Sequence, residues 1–177
     1  MSQGQGIGGH HSHRMMKDEW LTPRNILNAL GPFDLDPCAP IDRPWDIAAH
    51  HYTTEDDGLV QPWTGLVWCN PVYGNQAKLW LNKLSSHPEG GIALIFARTE
   101  TEMFVSEIWE KADALLFLYG RLHFYHVNGE RATSNSGAPS VLVGYKQFAI
   151  ERLRNSNLPG AFIDKWRSIP KNAVSAA

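Results

Sequence analysis

Strand-like and helix-like segments alternate regularly from residue 65 onward, and this alternation constrains the fold more than any other feature of the chain. Apolar residues at helical spacing predict helices at 77–84 and 100–111. Strands that alternate with helices favour an α/β sandwich with a mainly parallel sheet, and the adjacent late strands favour an antiparallel edge strand. The strands are predicted from short apolar runs at 65–70, 91–97, 114–118, 122–125 and 140–145.

The segment before residue 65 begins with a helix signal. Thr22 followed by Pro23 predicts a helix over 23–30, with the Thr22 hydroxyl as the N-cap and Pro23 at the first helical position. The sequence FDLDP then predicts a strand that ends at Asp36. A polar turn therefore follows directly on a short apolar element.

Three stretches have a weaker pattern. Residues 38–63 are rich in Pro, Asp and His and predict irregular loops around a short helix, with one short strand near 51–53. Residues 128–137 are small and polar and predict a surface loop. Residues 147–170 carry scattered apolar positions and are expected to be helical.

Length and composition predict one domain. The chain has 177 residues, 43% of them hydrophobic, which is enough for one sizeable core and too few for two ordinary domains. We expect a disordered tail over residues 1–17, a single domain over 18–170 and a flexible tail over 171–177. No apolar run approaches the roughly 18 to 20 residues that cross a bilayer, and the first residues lack the order of a signal peptide. These features predict a cytoplasmic protein with no membrane association.

The cysteine and histidine content predicts neither disulfides nor a metal site. Two cysteines, Cys38 and Cys69, are no disulfide framework in a chain of this size, so both are expected to be reduced. The histidines within residues 10–13 lie in the predicted tail without a second set of ligands, so no metal is predicted there.

Charge is distributed unevenly along the chain. Residues 1–120 hold 8 Lys and Arg against 15 Asp and Glu, whereas residues 121–177 hold 8 against 3. A basic segment on a chain with a net charge of −2 is compatible with binding to a polyanion such as nucleic acid. The same segment is equally typical of solvated helices near a C-terminus, so charge alone leaves both interpretations open.

Two predicted strands end in turns with chemically useful side chains. One turn is Asp36-Pro37 and the other is Asn70-Pro71-Val72-Tyr73. In an open α/β sheet, ligands bind outside the carboxyl ends of the strands, so both turns are candidates for a site. Each turn alone is as compatible with an ordinary strand ending as with catalysis.

Together, and in this order, the stretches DEWLTP, FDLDPCAP, EDDGL and W-x-G-x-V-W-C-NPVYG resemble the phage-type Dam family, the DNA N6-adenine methyltransferases of phages and prophages. The resemblance extends from about Asp18 to Tyr145. It implies a class I (Rossmann-like) methyltransferase fold, S-adenosylmethionine as cofactor and double-stranded DNA as partner. The implied activity is that of a site-specific, adenine-specific DNA methyltransferase.

The resemblance also implies a cofactor site. The Asp36 carboxylate would accept a hydrogen bond from the ammonium group of the cofactor, a charge-assisted contact. The start of the N-terminal helix would close over the cofactor, and the EDDGL segment would reach its adenine or ribose. In this chain a glycine-rich turn after the first strand is replaced by CAPID. The implied cofactor-binding residues are Trp20, Thr22, Pro23, Asp36, Pro37, Ala39, Asp56 and Asp57.

The implied catalytic residues are Asn70, Pro71 and Tyr73. The side-chain carbonyl of Asn70 and the backbone carbonyl of Pro71 would accept both N–H groups of an exocyclic amine and align its nitrogen with the methyl group. Tyr73 would stack on a base flipped out of the duplex. Val72 departs from the family pattern, which has a second proline here, and frees a backbone N–H.

Three arginines are candidates for phosphate contacts, namely Arg98, Arg121 and Arg131. Arg98 and Arg121 are also compatible with ion pairs to surface carboxylates, and the loop that carries Arg131 with a plain surface hairpin. Two groups of alternatives remain open. The turn is also compatible with methylation of RNA adenine or of protein glutamine, and the chain is compatible with a catalytically silent nucleic-acid-binding relative. The sequence carries no indication of the oligomeric state.

Overall fold

The protein is built on one seven-stranded sheet. The computed structural model describes residues 19–72, 74 and 76–169, so the predicted tails, the histidine run and Tyr73 lie outside the described residues. The strand order is β2-β1-β3-β4-β6-β5-β7. The strands are β1 (Phe33–Asp36), β2 (Ala48–His51), β3 (Val67–Cys69), β4 (Gly91–Phe96), β5 (Ala114–Leu118), β6 (Ser140–Tyr145) and β7 (Gly160–Ile163).

Strand directions are mixed. Strands β2, β1, β3 and β4 are parallel to one another. Strand β6 is antiparallel to both β4 and β5, and β7 is antiparallel to β5 at the edge. Strand β5 therefore runs in the same direction as β4. The α/β architecture is confirmed, and an antiparallel strand, β7, forms one edge of the sheet. The predicted strand at 140–145, β6, is antiparallel as well but lies inside the sheet.

Helices cover both faces of the sheet. Alternate residues of β4 point to opposite faces, Ile92 and Leu94 to one and Ala93 and Ile95 to the other, and all four are buried. Burial on both faces explains why this strand is a continuous apolar run. The helices are α1 (Arg24–Leu30), α2 (Ala77–Ser86), α3 (Glu102–Phe104), which continues as a π-helix over Val105–Trp109, and α4 (Gln147–Asn155). Helices α1 and α4 pack on one face, and α2 and the π-helix pack on the other.

Several local predictions were wrong. Helix α1 begins at Arg24, so Pro23 rather than Thr22 is its N-cap, and no side chain caps it. The Thr22 hydroxyl is buried without a hydrogen-bond partner among the described residues. Residues 122–125 form no strand, since only Tyr125 pairs, in isolated bridges. Residues 38–63, all of them described, contain turns and β2 but no helix.

The segment 147–170 was predicted helical throughout, but helix α4 ends at Asn155 and strand β7 follows. Strand β7 satisfies the backbone groups of β5 at what would otherwise be an open edge. Its first residue, Gly160, lies close to β5, and a Cβ there would stand 2.6 Å from the carbonyl oxygen of Phe117. The apolar residues of this segment therefore serve a strand rather than a longer helix.

Candidate active site

The strand order reverses between β1 and β3. The chain passes from β1 to β2 on one side, then returns to place β3 on the other side of β1. The carboxyl ends of β1 and β3 therefore meet at a topological switch point, where open α/β sheets bind their ligands. Asp36 is the last residue of β1, and Asn70 directly follows β3.

Asp36 is a buried carboxyl group. Asp36 is only 3% exposed. Its Oδ1 accepts a hydrogen bond from the Cys38 backbone N–H at 3.1 Å. Burial raises the pKa of Asp36 to about 7, and the hydrogen bonds from Cys38 and the charge of Arg43 offset only part of that shift. Among the described residues no cation forms an ion pair with it. The site thus holds a buried carboxyl group whose one nearby cation, Arg43, lowers its pKa only partly and pairs with Asp46 instead.

The turn after Asp36 is held against strand β2. Tyr52 donates its backbone N–H to the Asp36 carbonyl at 2.9 Å, and its own carbonyl accepts from Ala39 at 2.9 Å. Pro37 and Ala39 are both buried. The structure therefore places both predicted turn residues beside Asp36 on a rigid support.

The EDDGL segment packs against the same turn. A Cβ on Gly58 would collide with the carbonyl oxygen of Pro37, so the two backbones are in close contact. Asp56 is exposed and its Oδ2 accepts from the Thr53 N–H and hydroxyl, which lowers the pKa of Asp56. Asp57 has a positive φ of 53°. Both aspartates thus lie in a loop fixed to the Asp36 turn.

Lys83 of α2 holds this loop in place. Its ammonium group donates to the Leu59 carbonyl at 2.7 Å and to the Gln61 carbonyl at 2.6 Å. The indole N–H of Trp63 also donates to the Gly58 carbonyl at 2.8 Å. This role of Lys83 has no signal in the sequence, because a lysine on a helix usually faces water.

The N-terminal segment reaches across the sheet to Asn70. Leu21 exchanges two backbone hydrogen bonds of 2.9 Å with Tyr125, and the Trp20 carbonyl accepts from the Asn70 side-chain amide at 3.0 Å. The indole nitrogen of Trp20 and the hydroxyl of Thr22 are buried without a hydrogen-bond partner among the described residues. Pro23, also buried, follows directly. Orphaned buried polar atoms of this kind fit a site that a polar ligand completes.

Asn70 and Pro71 line a small cavity below this segment. The bond to Trp20 fixes which arm of the Asn70 amide carries nitrogen, so the carbonyl arm has a defined direction. Val72 is 39% exposed beside it. The cavity measures about 20 Å³ and is lined by Glu19, Trp20, Cys38, Pro40, Asn70, Pro71 and Val72.

A larger cavity of about 250 Å³ shares Trp20 with the small cavity. Its walls combine aromatic rings with small polar residues of the loop before β6. Sequence reasoning identified Trp20 and the polar loop but not the aromatic residues, which entered the strand predictions as ordinary core positions. The lining residues are Trp20, Phe96, Phe124, His126, Ala132, Thr133, Ser134, Asn135 and Ser136.

The three candidate arginines lie at the same end of the sheet, the end that carries the carboxyl ends of β4 and β5. Arg98 follows the carboxyl end of β4, Arg121 follows that of β5, and Arg131 pairs through its backbone with Tyr125. All three are exposed, and within the described part of the chain none of their guanidinium groups has an ion-pair partner. They therefore add positive charge around the two cavities.

The carboxyl edge thus brings together a buried carboxyl group, an oriented amide and exposed arginines, an arrangement compatible with a methyltransferase. The family model described as DNA N-6-adenine-methyltransferase (Dam) matches residues 9–162, and the chain belongs to this family. No curated protein and no solved structure matches the chain significantly. Membership confirms the family predicted from the sequence. It implies methylation of adenine in DNA, with S-adenosylmethionine as the methyl donor.

Two further features bear on the class of protein. Among the described residues, no group of three or more His, Cys, Asp and Glu side chains is placed to hold a metal ion. No helix within the described part of the chain has the length and apolar character needed to cross a membrane.

Proposed function

We propose that the protein transfers a methyl group from S-adenosylmethionine to the N6 amine of adenine in double-stranded DNA, at the turn formed by Asn70 and Pro71. The observation that carries this proposal is the position of Asn70. Its amide is oriented by Trp20 at the end of β3, beside the buried Asp36 at the end of β1. Asp36, a group suited to binding a cofactor, and Asn70, a group suited to binding a nucleophilic amine, thus lie at the ends of neighbouring strands.

The residues around Asp36 fit the cofactor. A buried carboxyl group without an ion-pair partner among the described residues favours a cationic ligand, because an ammonium group would stabilise its charged form. The orphaned Trp20 indole and Thr22 hydroxyl offer hydrogen-bonding groups nearby. Pro37 and Ala39 would line the turn, Pro23 would fix the segment above it, and Asp56 or Asp57 would reach the ribose or adenine. When bound, the cofactor supplies a methyl group activated by its sulfonium.

The topology supports a class I (Rossmann-like) assignment. Helices cover both faces, the parallel strands wind to one side and then to the other, and the site lies at the reversal point. The antiparallel β6 lies between β4 and β5 and begins at their carboxyl ends, so the loop before it stays at that end of the sheet and forms a wall of the larger cavity.

Asn70 and Pro71 position the nucleophile. The exocyclic amine of adenine is a weak nucleophile because its lone pair is conjugated with the ring. Two carbonyl acceptors, one from the Asn70 side chain and one from the Pro71 backbone, would bind its N–H groups and hold the nitrogen in line for transfer. Tyr73 would stack on the base, which must leave the duplex to be reached.

The larger cavity is suited to the flipped base. Phe96, Phe124 and Trp20 provide flat apolar surfaces, while Thr133 and Asn135 provide polar groups near the opening. Stacking on aromatic residues is worth about 1–3 kcal/mol per base, which offsets part of the stacking lost in the duplex. Arg98, Arg121 and Arg131 would contact the phosphates on either side.

The decisive experiment is transfer of labelled methyl from S-adenosylmethionine to unmethylated duplex DNA, followed by nucleoside analysis. The wild-type protein is compared with Asn70→Ala and with Asn155→Ala, which alters an exposed asparagine at the end of α4. We expect N6-methyladenine from the wild type and from Asn155→Ala, and none from Asn70→Ala. Label found only in RNA or in protein glutamine, or cofactor binding without any transfer, would overturn the proposal.

A further inference from the structure

Cys38 and Cys69, the two cysteines of the chain, lie next to each other although 31 residues separate them. Their sulfur atoms are 3.8 Å apart, and both are free thiols. Cys69 is the last residue of β3 and is fully buried, whereas Cys38 is partly exposed in the turn after β1. The pair therefore bridges the two strand ends that carry Asp36 and Asn70.

Cys38 faces the small cavity that also contains Asn70 and Pro71. A space of about 20 Å³ holds roughly one water molecule. Because Cys38 lines this cavity and is partly exposed, a small reagent has a route to it from the site. The buried Cys69 can react only with a group already on Cys38.

We propose that Cys38 and Cys69 form an oxidisable dithiol site that hydrogen peroxide closes to an intramolecular disulfide. In the first step the Cys38 thiolate attacks one peroxide oxygen, the O–O bond breaks, and a sulfenic acid and hydroxide form. In the second step the Cys69 sulfur attacks the Cys38 sulfur, the S–O bond breaks, and the S–S bond forms. The hydroxide from the first step takes up the proton that Cys38 lost, and the hydroxide that leaves in the second step takes up the proton of the Cys69 thiol. Two thiols and one peroxide thus yield one disulfide and two water molecules.

The chemistry of Cys38 predicts a slow first step. Its hydrogen bond with Cys69, its burial and the nearby Asp36 charge all raise the pKa of the Cys38 thiol well above its usual range, while the Asn70 backbone N–H lowers it only partly. Because the thiolate is the reactive form, peroxide reacts more slowly here than with a thiol of low pKa. Once the sulfenic acid forms, the neighbouring Cys69 captures it before further oxidation.

Closure changes the geometry of the site. A disulfide brings its sulfur atoms to about 2.05 Å, so the 3.8 Å separation must shorten and the turn carrying Cys38 must move toward β3. Asp36 and Asn70 are both within two residues of the pair. If the proposed methyl transfer is correct, the oxidised protein has lower activity, and a thiol reductant restores it.

The test treats the intact, folded protein with hydrogen peroxide and follows thiol content, intact mass and a peptide map. We expect both thiols to disappear together, the mass to fall by two hydrogen atoms, and a peptide linking Cys38 to Cys69 that dithiothreitol releases. Cys38→Ala and Cys69→Ala must each fail to form it, and circular dichroism confirms that both fold. Stepwise addition of oxygen to either cysteine without the linked peptide, or disulfides only between molecules, would overturn the proposal.

A second readout separates this proposal from the proposed function. Methyl transfer and binding of S-adenosylhomocysteine are measured before oxidation, after oxidation and after reduction. A reversible linked peptide with no methyl transfer in any state supports the dithiol site and counts against the methyltransferase. Methyl transfer by the reduced protein, with no linked peptide after oxidation, supports the methyltransferase and counts against the dithiol site.

Discussion

The side-chain amide of Asn70 donates a hydrogen bond to the backbone carbonyl of Trp20 across 3.0 Å. The bond joins residues 50 positions apart and makes the N-terminal segment part of the site. It also gives the amide a single orientation, since only its nitrogen arm can donate. An asparagine at this position is therefore both a candidate acceptor for substrate and a structural donor.

This dual role predicts a pH-dependent defect in Asn70→Asp. An ionised aspartate would place an oxygen with no proton against the Trp20 carbonyl, whereas the protonated acid can still donate. We expect the free energy of unfolding to fall by about 2 kcal/mol relative to wild type at pH 8 and by less at pH 5. The folded-state pKa of this new group would be raised, so its contribution to stability is present at low pH and is lost as pH rises.

Urea denaturation at both pH values measures this effect, with Asn70→Ala as the reference. Alanine only removes the bond, so we expect a loss of about 1 kcal/mol that is the same at both pH values. Equal losses for Asn70→Asp at pH 5 and pH 8 would contradict the role of the amide as a donor to Trp20.

Asp36→Asn is predicted to stabilise the protein without cofactor at pH 8. The pKa of Asp36 is raised from 3.8 to about 7, so the folded state binds this proton more tightly than the unfolded state. Its favourable contribution is complete below pH 3.8 and is lost as pH rises through about 7. Removing the charge should therefore raise the free energy of unfolding at pH 8, by up to about 4 kcal/mol, and leave it nearly unchanged at pH 4. Denaturant titrations of wild type and Asp36→Asn at the two pH values measure this difference. A lower free energy of unfolding for Asp36→Asn than for wild type at pH 8 would refute the prediction.

The same pKa predicts the pH dependence of cofactor affinity. Binding of an ammonium group requires the ionised form of Asp36, so affinity for S-adenosylhomocysteine should rise about tenfold per pH unit between about pH 5.5 and the pKa near 7, then level off. Isothermal titration calorimetry provides the dissociation constants. In Asp36→Asn the affinity should be lower by about 10- to 100-fold at pH 7.5 and should lose this dependence. A wild-type affinity that is flat across the range would contradict the assignment of Asp36.

Gly58→Ala is predicted to displace the loop that carries Asp56 and Asp57. The added Cβ would collide with the Pro37 carbonyl, which is backbone and cannot swing aside. We expect a loss of about 1–3 kcal/mol in stability and a weaker affinity for S-adenosylhomocysteine. Gly137→Ala is the matched control, because nothing lies within 4 Å of its Cβ. If cofactor affinity is unchanged in Gly58→Ala, this loop does not belong to the cofactor site.

Replacement of Arg98, Arg121 or Arg131 by glutamine should weaken DNA binding without changing cofactor affinity. Each variant should reduce the slope of log affinity against log salt by about 1 if that arginine contacts one phosphate. Fluorescence anisotropy with duplex DNA at several salt concentrations measures the slope. Lys146→Gln is the control, because Lys146 is exposed and follows β6 at the opposite edge of the sheet. An equal effect of Lys146→Gln would show that the charge acts through the whole molecule.

The fold was predictable where a strand is buried on both faces. Strands β4 and β5 appear in the sequence as the unbroken apolar runs GIALIF and ALLFL, and both were predicted close to their observed bounds. Strand β7 could not be predicted from its own sequence, because GAFI is only four residues long. It is extended because it pairs with β5, which is distant in the sequence. The π-helix over Val105–Trp109 likewise leaves no local signal, since its apolar spacing matches that of an ordinary helix.

The site was predictable where its residues end strands. Asp36 and Asn70 follow apolar runs, and parallel strands bring their carboxyl ends together, so their proximity could be expected. The roles of Phe96 and Phe124 as cavity walls depend on how β6 crosses between β4 and β5, which no short stretch of sequence encodes. The functional assignments of all these residues, including Tyr73, stay predictions.

The pairing of Leu21 with Tyr125 has a consequence for biosynthesis. The two partners lie more than a hundred positions apart, and the strand that anchors the second partner's loop, β6, is made later still. During translation the N-terminal segment must wait until the residues around Tyr125 have emerged before it can dock beside Asn70. Until then Leu21, which is buried in the folded protein, stays accessible on the nascent chain.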